Sequence, residues 1–145
     1  MDLPIPVPGL VVRYGYLWHS EHLDGKEGGG KDRPCAIVGN VLSGADGKLE
    51  ILVLPITHTL PKLAEMAVEI PAAVRKRLGL DDEESWVIIS EWNQFVWPGP
   101  DLRPSRPENR TPDFGMLPPG LFNSIRQRFL ILAKAGRARR VRRTQ

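Results

Sequence analysis

Short apolar runs separated by turn residues fill the first two thirds of the chain, and one stretch of helical periodicity follows near the end. Residues 9–18 (Gly-Leu-Val-Val-Arg-Tyr-Gly-Tyr-Leu-Trp) are rich in β-branched and aromatic side chains and predict a strand. Residues 19–32 are polar and glycine-rich and predict a loop. Residues 35–42 form a second apolar run, residues 43–48 carry the Asp46-Gly47 hairpin signal, and residues 49–56 return as an antiparallel partner. The two runs have equal length, so an unbroken hairpin sets Cys35 opposite Ile56. Pro55 lacks the N–H a ladder needs, which predicts an edge or a bulge there. A short alternating strand is expected over 67–70. A helix is expected over 72–78, started by Pro71 and stopped by Gly79. After the acidic turn 81–84, residues 85–91 predict another strand that can run on toward Trp97.

Residues 97–119 change character. Seven of these 23 residues are proline, so regular structure is not expected; the segment reads as a long functional loop or as an arm laid over the sheet. From 119 to 135, Phe122, Ile125, Phe129 and Leu132 recur at helical spacing, and Leu121, Leu130 and Ile131 widen that face. The width suggests burial on two sides, one of them against a partner subunit. About five short strands, one hairpin and a C-terminal helix predict a mainly β fold, a small barrel closed by the helix. A parallel sheet needs longer crossovers than this spacing allows.

Length and charge refine this picture. At 145 residues the chain fits one domain, drawn here as 1–136 with the proline-rich insertion inside it. The single cysteine, Cys35, excludes an internal disulfide and suits a reducing, cytoplasmic setting. The first eight residues hold three prolines and no cation, unlike a signal peptide. No apolar run reaches the roughly 18 residues of a membrane span. The net charge of +3 hides an asymmetry: all 17 acidic residues precede Phe114, whereas residues 114–145 carry eight basic residues and no acid. Residues 137–145 therefore read as a disordered basic tail, either a solvated end or a contact for polyanions such as nucleic acid.

Several motifs carry candidate chemistry. Gly25 to Lys31 approximates a phosphate-binding P-loop, but Asp32 stands where a hydroxyl is required and a strand follows instead of a helix. His19-Ser-Glu-His22 offers metal-ligand types, yet Cys35 and His58 lack the spacing to complete a site, so no metal or other cofactor is expected. Cys35 lies in an apolar strand and reads as a small core residue. Trp18 and Trp86 read as core; Trp92 and Trp97 could present stacking surfaces. The strongest constellation is Arg33, Thr57 and His58. Pro34 biases Arg33 toward extended backbone, and the hairpin brings the start of its first strand beside the end of its second. A guanidinium, a hydroxyl and an imidazole then share one end of the sheet, an arrangement suited to a phosphate.

These residues also carry a family resemblance. Gly30-Lys-Asp-Arg-Pro34 followed by an apolar strand resembles the G-x-x-R-P signature of the MazF/PemK toxins. Leu54-Pro-Ile-Thr57 resembles their second motif, Val68-Glu-Ile70 the next strand, and Ser85-Trp-Val-Ile-Ile-Ser-Glu91 a later one, so the likeness runs in order over residues 9–91. The resemblance implies an SH3-like barrel homodimer, paired with an antitoxin protein, that cleaves single-stranded RNA without metal by attack of the ribose 2′-OH on the phosphate. It assigns Arg33 to the phosphate and Thr57 beside it. Beyond the motifs, His58 or His19 is expected to carry protons, with Glu91 a rival carrier, and Lys31, His22, Glu91 and Trp92 are expected to contact substrate. The chain departs from the family at Trp92-Asn-Gln-Phe-Val-Trp-Pro98, where many relatives have R-T-I-D. That departure leaves open a nucleic-acid- or protein-binding module on the same fold with altered or lost nuclease activity.

Overall fold

The hairpin at the centre of the molecule is not regular, and its irregularity decides what lies in the site. A computed structural model describes residues 1–28, 31–43 and 46–143. Gly30 of the G-x-x-R-P pattern and residues 144–145 of the tail fall outside these. Strand β2 (Arg33–Leu42) pairs antiparallel with β3 (Leu49–Thr57). From Leu42↔Leu49 to Gly39↔Leu52 the register is the one expected for an unbroken hairpin. It then shifts, and Ile37 faces Val53 while Cys35 faces Pro55 rather than Ile56. Val38 is the extra residue of a β-bulge. A one-residue slip moves side chains to the other face of a pleated strand. Continued to the strand ends, the bulged register sets Thr57, not His58, opposite Arg33.

The sheet is larger than the sequence suggests. Strand β1 (Leu10–Tyr14) pairs with β2 on one side, and with β7 (Leu102–Arg103) and β8 (Asp113–Met116) on the other. The proline-rich segment therefore does hold regular structure, as two short strands on β1. Strand β3 is internal, so of the edge or bulge expected at Pro55 the edge does not occur. It pairs over Glu50–Val53 with β6 (Glu91–Val96) and over Ile56–Thr57 with β5 (Trp86–Ile88). Pro55 falls between those two partners, where no ladder pair is made on that side. Strand β4 (Ala67–Glu69) extends the sheet from β5. The predicted strand 85–91 is thus two, β5 and the start of β6. The fold is mainly β, a mostly antiparallel sheet with a C-terminal helix. Pairings among the described residues do not close it into a barrel.

The basic tail is the clearest correction. Arg139–Arg142 form β9, parallel to β6, with Val141 buried, so this stretch is ordered sheet rather than a free tail. Next to it Arg143 is buried, its side chain 2% exposed. Its Nη2 donates to Asp101 at 2.9 Å, and its Nη1 faces the Gly15 carbonyl at 2.7 Å, Asn93 Oδ1 at 3.0 Å and the Tyr14 hydroxyl at 3.2 Å. The Asn93 amide in turn exchanges hydrogen bonds with the Leu17 backbone. Burial holds the Tyr14 phenol well above its ordinary pKa, so it stays a neutral partner.

Helices complete the layers. Residues 19–32, expected as loop, begin with the short α1 (His19–Leu23). Helix α2 (Ala72–Leu78) and α3 (Pro119–Lys134) bury Leu78, Ile125, Phe129 and Leu132 in one core with Val11, Leu54 and Val87. The second core, on the other side of the sheet, holds Val12, Ile37, Ile51 and the stacked pair Tyr14–Phe95, whose ring centroids lie 4.4 Å apart. Cys35 is buried there, and desolvation pushes its thiol far up, so it is inert packing. Leu130 and Ile131 of the widened helix face stay exposed.

Gly79 ends α2 in the left-handed region at φ 72°, with Gly79 N–H bonded to Lys76 and Leu80 N–H to Arg75 in a Schellman arrangement. The Arg106 guanidinium lies directly on it, donating to the Gly79 carbonyl at 3.0 Å. Gly79→Ala is expected to lower stability by about 1–2 kcal/mol from the left-handed backbone alone, and to displace Arg106. Midpoints of urea unfolding check the first effect.

Candidate functional site

Two clefts open at the end of the sheet where β2 begins and β3 finishes, and Lys31, Arg33, Thr57 and Thr59 line both. The smaller, about 440 Å³, is completed by Trp18, Ser90 and Glu91 among others. The larger, about 580 Å³, continues past His58, Arg13, Ser85 and Arg106.

Arg33 starts β2 in the extended backbone that Pro34 enforces, and its guanidinium lies 5.0 Å from the Trp18 ring centroid. Among the described residues no carboxylate pairs with it, and its buried Nε has no partner. A half-buried guanidinium without an anion is a binding group in waiting, since such a charge is ordinarily matched. Trp18, expected in the core, packs at its margin, half-buried, and walls the cleft with Arg33 over its ring and Tyr16 edge-on to it. Thr57 Oγ1 accepts the Thr59 backbone N–H at 3.2 Å, which leaves its own O–H to donate.

Glu91 opens β6 and lines the smaller cleft. One carboxylate oxygen, Oε1, accepts the Tyr16 hydroxyl at 3.1 Å and the His19 backbone N–H at 2.9 Å. Among the described residues Oε2 has no hydrogen-bond partner. Desolvation pushes the Glu91 carboxyl above its ordinary value, against those two hydrogen bonds. A partly desolvated carboxylate with one free oxygen, in a cleft with two cations, is equipped to move a proton.

His58 is differently placed. Nδ1 lies 2.9 Å from the Glu84 carbonyl and Nε2 2.8 Å from Asp81 Oδ2. Both neighbours are acceptors, an arrangement that favours the imidazolium, which donates from both ring nitrogens; the Glu84 carbonyl, then Asp81, raises its pKa. Neither nitrogen is free to act as a base, and a proton passes to a ligand only if the ring turns from one of these acceptors. With Glu83, these side chains also form a cluster whose ligand atoms lie within 4.8 Å of one another, the group among the described residues whose donor types could take a metal ion. All three are exposed, and His58 and Asp81 already pair with each other.

The remaining expected site residues divide. Lys31 stands exposed at both clefts. His19 contributes its backbone N–H to Glu91; its ring lines neither cleft. His22 lies at another hollow, with Lys26 and Arg142. Trp92 follows Glu91 on β6 and so points to the opposite face, where it packs edge-on against Phe129 with ring centroids 5.3 Å apart. The chain thus gathers Arg33, Thr57, His58, Lys31 and Glu91 and leaves His19, His22 and Trp92 aside. Sequence reasoning missed Arg13, Ser85 and Arg106. Arg106 carried a faint signal, a cation in a segment too proline-rich for packing alone. Among the described residues no helix is long and apolar enough to cross a membrane. Comparison with protein-family models, curated proteins and solved structures finds no match.

Proposed function

We propose that the chain is an endoribonuclease that cleaves single-stranded RNA through the ribose 2′-OH, on a small barrel of the kind that the resemblance to the MazF/PemK toxins implies. One observation carries the reading: the unpaired Arg33 guanidinium, the Thr57 hydroxyl and the Glu91 carboxyl converge on one cleft. Arg33 and Lys31 hold the scissile phosphate and stabilise the charge of the phosphorane; Thr57 donates to a non-bridging oxygen. Glu91 takes the 2′-OH proton on Oε2. O2′ bonds to phosphorus, the P–O5′ bond breaks, and the His58 imidazolium, its Nε2 turned from Asp81 to the leaving group, protonates O5′. The products are a 2′,3′-cyclic phosphate and a 5′-hydroxyl end.

Incubating the protein with single-stranded RNA in EDTA is expected to give those ends. Arg33→Ala is expected to cut about 10²-fold more slowly, the cost of removing one donor from a developing anion. Arg33→Lys should recover little, since an ammonium lacks the planar fork. An alanine variant that cuts like the parent sinks the assignment.

A second reading, RNA binding without cleavage, is favoured by β6. Where the resemblance calls for a second arginine and an aspartate, Trp92 packs on α3 and Asn93 is tied to Leu17 and Arg143. Binding without cyclic-phosphate product decides for it.

A further inference from the structure

We propose that the larger cleft is a second phosphate subsite, built partly by the proline-rich segment, that holds the nucleotide adjoining the scissile phosphate of a single-stranded RNA. The inference rests on the reading of the Arg33 cleft as a nuclease site.

The cleft has a surplus of positive charge. Its two acids are already matched: Asp32 lies 3.9 Å from Arg103, and Asp81 lies 2.8 Å from His58. Arg13, Lys31, Arg33 and Arg106 line the same space, and among the described residues none of them pairs with a carboxylate. Arg13 lies between the fully buried Val12 and Tyr14 on β1, so the pleat turns it to the other face. Among the described residues its guanidinium makes no hydrogen bond. Arg106 spends one donor on the Gly79 carbonyl. Unspent guanidinium donors facing a concave space fit phosphate oxygens.

Ser85 supplies an independent sign. It is 1% exposed, its hydroxyl has no partner, and it lines this cleft. Buried hydroxyls are nearly always hydrogen-bonded, so an unpartnered one at the wall of this cleft fits a ligand oxygen. The dimensions favour a nucleotide over a bare anion. A volume of about 580 Å³ suits a small-molecule site, and Phe114 offers an aromatic surface to a base. Because Arg33 and Thr57 line both clefts, a strand whose scissile phosphate sits on Arg33 runs directly into this space. Ser105 and Arg106 come from the proline-rich segment and Phe114 from β8, which gives residues 97–119 a role: they build one wall.

The experiment uses the full chain and a short, uncleavable 2′-O-methyl RNA oligonucleotide, with affinity read by fluorescence anisotropy across a salt series. Arg13→Gln and Arg106→Gln are each expected to weaken binding about tenfold and to reduce the salt slope by about 1. The effect should be much smaller for a dinucleotide, whose single phosphate sits on Arg33 and which brings none to the second subsite. Arg106 touches the end of α2, so Arg13→Gln, which breaks no bond, is the cleaner variant; thermal melts confirm both fold. Variants that bind the oligonucleotide like the parent overturn the subsite even if the parent cuts RNA. Arg13-dependent binding by a parent that cuts nothing keeps the subsite and removes the nuclease reading. A parent that does not bind the oligonucleotide overturns the subsite. A mononucleotide that competes as well as the oligonucleotide assigns the cleft to free nucleotides and overturns the RNA assignment.

Discussion

Arg143→Ala is expected to lower the unfolding free energy by about 3 kcal/mol, the low end for breaking a buried charge pair. Truncation strands several groups at once. The Gly15 carbonyl and Asn93 Oδ1 lose a charged donor in the buried interior, and Asp101 loses its cation. Asp101 is 24% exposed and can rehydrate, which holds the cost below the upper range. For a chain of this length the loss corresponds to a fall in melting temperature on the order of 10 °C. Arg143→Lys should restore only part of it, because one ammonium cannot reach acceptors arranged around a planar fork. A melt within a degree or two of the parent refutes the clamp. Removing residues 137–145 is expected to cost more, since β9 and the buried Val141 leave as well. Against a total stability of about 5–15 kcal/mol, that deletion brings the domain close to unfolding. Loss of RNA binding on tail deletion would therefore report on the fold, and point changes at the exposed Arg139 or Arg140 are the sounder probe of the tail's charge.

What was legible in the sequence follows from how local each signal is. The β2–β3 hairpin declared itself through two apolar runs and Asp46-Gly47, and Gly47 does take the left-handed backbone at φ 67°. Helix α2 was bracketed by Pro71 and Gly79, and α3 by its 3.6-residue period. The bulge at Val38 left only one trace, Gly39 inside a strand pattern, and without the bulge His58 rather than Thr57 would face Arg33. Strand β9 was illegible because arginine-rich sequence reads as solvated. What makes it a strand is the open edge of β6, and what buries Arg143 is the set Tyr14, Asn93 and Asp101, scattered along the chain. In the candidate site, Arg33 and Thr57 were visible because hairpin pairing is a local rule. Glu91 could be named from the sequence as a rival proton carrier, but not the setting that supports it. That depends on Tyr16 and the His19 N–H arriving from a distant turn. Arg13, Ser85 and Arg106 share no motif; the sheet and the proline-rich wall bring them together.

Glu91→Gln is expected to reduce RNA cleavage about 10³-fold, within the range for a general base, while leaving the fold intact or firmer. The carboxamide oxygen can still accept from Tyr16 and the His19 N–H, so the local hydrogen bonds survive, but it cannot take a proton. The stability side has a definite sign. Glu91 binds its proton more tightly in the folded chain than in the unfolded one, where its ordinary value is 4.5. The stability it lends is therefore fully present below that value and is lost as pH rises through the raised folded value. At neutral pH the parent holds a partly buried charge at some cost, and glutamine removes that cost, so the variant should melt at the same temperature or higher. Catalysis has the opposite sign. The base must be ionised, so cleavage by the parent should climb with pH through the raised Glu91 value, then fall as the His58 imidazolium, itself raised above 6.5, gives up its proton. Glu91→Gln should lose the acidic limb and keep the alkaline one; His58→Gln should do the reverse. A variant that melts higher, cuts RNA 10³-fold more slowly and no longer responds to acid has lost a base that the fold tolerates for its chemistry. One that cuts as fast as the parent at every pH leaves Glu91 as packing at the mouth of a binding cleft.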